Sequence, residues 1–118
     1  MKLTKNIKKI IEQNPLAFAT IGNKKPYVIG VASCKVVEGD KIVLTDNFMK
    51  TTVRNLLENN NVALVVWNKK GEGCQFLGKA KYYKKGKWLN YVKKLKENKE
   101  FPAKGAIIVK VEKIIESK

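Results

Sequence analysis

The chain contains no histidine. Without an imidazole, one chain cannot build a Ser–His or Cys–His nucleophile, nor a zinc site of mixed Cys and His ligands. Cysteine is nearly as scarce: Cys34 and Cys74 lie far apart, with no CxxC pair. Two isolated thiols in a reducing compartment read as small, half-buried structural residues. Among 25 cationic residues only Arg54 is an arginine. Arginine is the planar fork that usually reads phosphates and base edges, whereas lysine is a strongly hydrated point charge. No apolar run approaches the ~20 residues of a membrane span. The start, Met1-Lys2-Leu3-Thr4-Lys5, continues with lysines among isoleucines and offers no signal-peptide core. The expectation is a cytoplasmic protein.

What is present points to a folded unit. With 118 residues, 44% of them hydrophobic, the sequence is read as one domain over residues 1–118, although 30% of residues are charged. The net charge is +15. Lysines spread along the whole chain read as a solvated surface, and their summed field favours anionic ligands or acidic protein partners.

The hydrophobic pattern orders the elements. Leu3, Ile7, Ile10 and Ile11 share one helical face, and Asn14-Pro15 ends that helix. Leu16 to Ile21 reads as a strand, Gly22 to Pro26 as a turn, Tyr27 to Val37 as a second strand, and Lys41 to Thr45 as a third. Val53, Leu56 and Leu57 have helical spacing, closed by Asn59-Asn60-Asn61. Val62 to Trp67 and Gln75 to Tyr83 are further strands. Trp88, Tyr91, Val92 and Leu95 mark a helix, and Ala106 to Val111 is a last strand. Trp67 and Trp88 are assigned to core positions. Six strands with short antiparallel links predict a mainly β protein, a small β-barrel with peripheral helices.

The segment richest in chemistry is Leu44-Thr45-Asp46-Asn47-Phe48-Met49-Lys50-Thr51-Thr52-Val53-Arg54-Asn55-Leu56. A strand runs through a short loop into a helix start, where free N–H groups and the positive dipole end favour an anion. Thr51 and Thr52 add hydroxyls and Lys50 adds charge. The same residues also suit plain helix capping by Thr51 or Asn47.

This succession, from Leu16-Ala17-Phe18-Ala19-Thr20-Ile21-Gly22 through Thr52-Val53-Arg54-Asn55-Leu56-Leu57 to Val62-Ala63-Leu64, resembles the FMN-binding split-barrel family, relatives of pyridoxamine 5′-phosphate oxidase. The likeness covers roughly residues 15 to 115 and is closest to the small single-domain FMN-binding members. It implies a six-stranded antiparallel split β-barrel of Greek-key type, with FMN as cofactor. It also implies a homodimer with the flavin between subunits. Gly30, Val31, Ala32 and Ser33 would run beside the ring. Asp46, Asn47, Phe48, Lys50, Thr51 and Thr52 would form the phosphate loop and helix start. The family's Lys-Thr pair falls on Thr51-Thr52, so the cation stands one residue early, at Lys50; Arg54 is a substitute cation one turn inside the helix. Gln75, on the strand that would come from the partner subunit, is placed near the flavin. Phe101 stands where some members carry a tryptophan.

The resemblance implies a flavin-dependent oxidoreductase or electron carrier, exchanging electrons with a nicotinamide, a deazaflavin or an acidic redox protein. With no histidine, a proton would come from water, a lysine or a carboxylate such as Asp46. The competing reading is a basic β-barrel that binds nucleic acid without catalysis. It rests on Tyr82 and Tyr83, taken as exposed aromatics beside Lys79, Lys81, Lys84 and Lys85.

Overall fold

Helix α1 (Lys5–Gln13) starts where Thr4 caps it, the Ile7 N–H donating to Thr4 Oγ1 (3.3 Å). It buries Ile7 and Ile11 and stops at Asn14, the residue before a proline, whose Nδ2 donates to the Ile10 carbonyl (2.9 Å). Strand β1 (Leu16–Gly22) buries Leu16, Phe18 and Thr20 in strict alternation. Asn23 and Lys24, both at positive φ (51° and 62°), form the two-residue turn into β2 (Lys25–Val31). Such a turn matches the twist of a hairpin. Pro26, expected in the turn, lies inside β2, which tolerates it because β2 is an edge strand. The computed structural model describes residues 2–117, with Ser117 in its backbone alone.

The second strand does not continue to Val37. The chain leaves the sheet after Val31 and returns as β3 (Lys35–Val37), so the described residues form seven strands rather than six. The cause is capture by the end of α1. The buried Cys34 thiol donates to the Ile11 carbonyl (3.5 Å), and the Val36 N–H donates to the Glu12 carboxylate (2.8 Å). Strand β4 (Lys41–Asp46) follows through a turn with Glu38 and Gly39 at positive φ. Helix α2 (Thr51–Glu58), β5 (Asn61–Trp67), β6 (Gly73–Tyr83), α3 (Lys87–Lys94), a single 3₁₀ turn (Lys96–Asn98) and β7 (Gly105–Ser117) complete the order.

The strands form one antiparallel sheet in the order β2-β1-β5-β6-β7-β4-β3. It is mainly β, as expected, but not a closed barrel: β2 and β3 are free edges. Those edges adjoin in sequence, and the step from Val31 to Lys35 spans at most about 14 Å. The sheet must curl until its two edges nearly meet. Strands β6 and β7 outrun their sequence-based limits because they pair along their whole length across a bulge at Leu77/Gly78. At Gly78 a Cβ would collide with the Lys110 carbonyl oxygen, so only glycine allows that approach.

The main core lies inside the curl, around Ile11, Phe18, Ile42, Leu44, Phe76, Ile107 and Val109. A buried side chain of this size contributes roughly 1.5–3 kcal/mol. A second cluster, Val43, Val92, Ala103, Ala106 and Ile108, lies under α3 with Trp88 against it. Cys34 and Cys74 are fully buried rather than half-buried. Trp67 is not a core residue and is 53% exposed, because Val62, Leu64 and Val66 take the inward phase of β5. Among the described residues no helix is long and apolar enough to cross a membrane, and no cluster of three His, Cys, Asp or Glu side chains could hold a metal.

Candidate functional site

A hollow of about 690 Å³ opens where the two sheet edges approach each other. Three segments wall it: the end of β2 with the linker beyond it, the loop from β4 into α2, and the stretch between α3 and β7.

The β4–α2 loop is shaped from beneath by Asp46, whose side chain is completely buried. Its Oδ1 accepts from the Met49 N–H (2.7 Å) and its Oδ2 from the Tyr82 hydroxyl (2.6 Å). Burial, then the bond to this carboxylate, pushes the Tyr82 phenol well above the usual tyrosine range. The Lys104 N–H donates to the Asp46 carbonyl (2.9 Å), and Lys104 Nζ donates to the Met49 carbonyl (2.9 Å). Asn47 Oδ1 accepts from the Ala103 N–H (2.9 Å), and Asn98 Nδ2 donates to Thr45 Oγ1 and to the Val92 carbonyl (both 2.8 Å). Asp46 therefore fixes the loop without lining the hollow.

Neither Thr51 nor Asn47 caps α2. The cap position is Lys50, which makes no side-chain capping bond. The first helical hydrogen bond runs from the Arg54 N–H to the Lys50 carbonyl (3.1 Å). The N–H groups of Thr51, Thr52 and Val53 thus have no partner within the helix. Lys50, Thr51 and Thr52 all line the hollow, and Lys50 is the lysine among the lining residues. Arg54 is exposed and does not line it. The helix is anchored by the buried Asn55, whose Nδ2 donates to Thr20 Oγ1 (3.0 Å) in space left open by Gly22.

On the opposite segment Gly30, Val31, Ala32 and Ser33 all line the hollow. A Cβ at Gly30 would meet no atom within 4 Å, so the packing of this chain does not require a glycine there. Phe48 and Phe101, 72% and 50% exposed, meet edge to face at 6.3 Å on the rim.

Nine of the eleven residues proposed from sequence thus converge on one hollow. Asp46 and Gln75 do not. Gln75 is exposed on β6 and faces a separate hollow of about 230 Å³, beside Ala17, Val28 and Val65. The sequence reading missed Tyr27, Ile29, Thr45, Met49, Glu97 and Asn98 on the lining. Ile29, Thr45 and Met49 neighbour residues it had named, whereas Glu97 and Asn98 lie in a charged stretch with no local signature. Tyr82 and Tyr83 are not exposed aromatics: both are half-buried, Tyr82 bonded to Asp46 and Tyr83 packed on the second cluster.

Comparison with known proteins agrees with this architecture. A protein of Methanocaldococcus jannaschii, described as uncharacterized, is 33% identical over 120 residues, covering 97% of this chain and 80% of that one. Three solved structures share the fold. HupZ of group A Streptococcus is 21% identical with TM-score 0.88, covering 97% of this chain and 93% of that one. An FMN-binding protein of Syntrophomonas wolfei is 14% identical with TM-score 0.77, covering 95% and 84%. An F420 reductase is 16% identical with TM-score 0.76, covering 96% and 98%. The family model for pyridoxamine 5′-phosphate oxidase matches residues 3–118. The chain belongs to the pyridoxamine 5′-phosphate oxidase family.

Proposed function

We propose that this protein is an FMN-binding flavoprotein, acting as a flavin-dependent oxidoreductase or electron carrier. The observation that carries the reading is the single hollow joining Gly30–Ser33 to Lys50–Thr52. The residues present fit the cofactor. The start of α2 offers unpartnered N–H groups, two hydroxyls and a lysine to a phosphate. The space over Gly30 and the apolar side chains of Val31, Phe48 and Phe101 suit an aromatic ring. A volume near 690 Å³ is ordinary for a cofactor site. The names of two structural neighbours, an FMN-binding protein and an F420 reductase, agree with flavin chemistry in this fold.

In this assignment Lys50, Thr51 and Thr52, with Asn47 and Phe48 in the preceding loop, hold the phosphate end. Gly30, Val31, Ala32 and Ser33 hold the ring, and Asp46 fixes the loop. Bound FMN would supply hydride or single-electron chemistry. The chain supplies orientation, cationic groups that favour an anion, and an aromatic rim that excludes water. With no histidine, protons come from water, a lysine or a carboxylate.

The protein works as a homodimer in this proposal, with Gln75 of the second copy at the flavin site. Val28, Leu77 and Ile115, exposed by 63%, 38% and 40%, supply apolar area on β2, β6 and β7 for that contact. The electron partner is a nicotinamide, a deazaflavin or an acidic redox protein, and the +15 charge favours an anionic one. The protein acts in the cytoplasm.

Titration with FMN tests the reading: uptake at micromolar concentration with a perturbed flavin spectrum is expected, and no uptake overturns it. Replacing Thr51 and Thr52 together by alanine weakens FMN by about 100-fold, from two lost hydrogen bonds to a charged group, and riboflavin far less. Equal losses for both ligands would move the phosphate elsewhere. Light scattering tests the dimer.

A further inference from the structure

Among the residues lining the hollow, two carry charge: Lys50, expected for an anion site, and Glu97, which is not. Glu97 lies on the 3₁₀ turn before β7. Its neighbour Asn98 fixes that turn by donating to both Thr45 Oγ1 and the Val92 carbonyl. Glu97 Oε2 lies 3.2 Å from Lys35 Nζ, with the two side chains 38% and 30% exposed. Lys35 begins β3, two residues beyond Ser33 on the opposite wall. The pair therefore ties the 3₁₀ turn, whose Glu97 lines the hollow, to the start of β3, although Lys35 itself does not line it.

An ion pair so open to water contributes little to folding stability. Its placement is therefore not explained by the fold. A carboxylate on the wall of an anion-binding hollow opposes the ligand unless a cation offsets it, and Lys35 is placed to do so.

We propose that Lys35 and Glu97 are a positioning pair of the FMN site: Glu97 supplies the negative charge that limits affinity and lowers the flavin's reduction potential, and Lys35 holds and offsets it. This inference rests on the FMN reading. Glu97 acts through its field on the bound group and on the electrons it receives. Removing the carboxylate favours the more anionic, reduced form. Removing the lysine leaves the carboxylate unopposed and disfavours that form. The two substitutions must therefore act with opposite sign, which loss of a structural strap would not produce.

The test uses the full chain loaded with FMN, and measures dissociation constant and midpoint potential for wild type, Glu97→Gln, Lys35→Met and the double variant. Glu97→Gln is expected to tighten FMN by about threefold to fivefold, the scale of a partly exposed ion pair, and to raise the potential. Lys35→Met is expected to weaken FMN by about the same factor and to lower the potential. The double variant returns to within about twofold of wild type. Shifts of the same sign in both single variants, or no shift in either quantity, overturn the proposal. Should Lys35→Met fail to fold, Glu97→Gln decides alone: unchanged affinity and potential overturn the pair. Wild-type protein that takes up no FMN overturns the parent reading and the pair together. Wild type that binds while the variants do not differ overturns the pair only.

Discussion

Beneath the β4–α2 loop, the side-chain oxygens of Thr45 and Asp46 are engaged by Asn98, Tyr82 and Met49. Four to six residues beyond Asp46, Lys50 leaves α2 uncapped and Thr51 and Thr52 line open space. Phe48 stands 72% exposed between these regions. The floor spends its hydrogen bonds on the chain itself, while the rim holds them in reserve. Changes to the floor should therefore act on folding first, and changes to the rim on ligand binding alone.

The largest expected effect breaks the floor. Asp46→Ala strands the Tyr82 hydroxyl and the Met49 N–H, costing about 3 kcal/mol. That corresponds to a Tm lower by roughly 10–20 °C for a chain of this size, and calorimetry checks it. A drop of only a degree or two would mean that the floor is not what holds the loop.

Gly30→Leu sharpens the other side of the comparison. Because a Cβ there meets nothing, Tm should stay within about 2 °C. A bulky side chain in the ring's space should nevertheless weaken FMN by about tenfold or more, on the scale of an overpacked site. A loss of stability without a loss of binding would place Gly30 with the floor.

The smallest effect is in alkali. The folded state raises the Tyr82 pKa, so its contribution is complete below the unfolded value, about 10, and is lost as pH rises through the folded value. Tyr82→Phe should be less stable than wild type by about 1–2 kcal/mol at neutral pH. The difference should narrow above pH 10. Denaturant titrations at pH 7 and pH 11 compare the two, and a gap unchanged at pH 11 would deny the bond to Asp46 its role.

Much of this arrangement was legible in the residues. The β-former run Leu16–Ile21 and the almost continuous apolar run Val62–Trp67 mark strands, and the spacing of Val53, Leu56 and Leu57 marks the helix that follows the β4 loop. The break between β2 and β3 was not legible. Tyr27 to Val37 is rich in β-formers, and the chain is diverted by distant partners, Glu12 and the Ile11 carbonyl. Trp67 was misplaced because hydrophobicity gives composition, whereas burial follows strand phase. The third wall, Glu97 and Asn98, has no local motif, and only the chain path brings it to residues some fifty positions earlier.

The linker between the two free edges also lines the hollow. A ligand gripping Ala32 and Ser33 would fasten both ends of the sheet at once. The opening that exposes the β2 and β3 amides to exchange would then require release of the ligand. At a ligand concentration 100 times its dissociation constant, that coupling adds about 2.7 kcal/mol to the opening. Deuterium uptake at two strands on opposite edges of the sheet should then slow together, by the same factor.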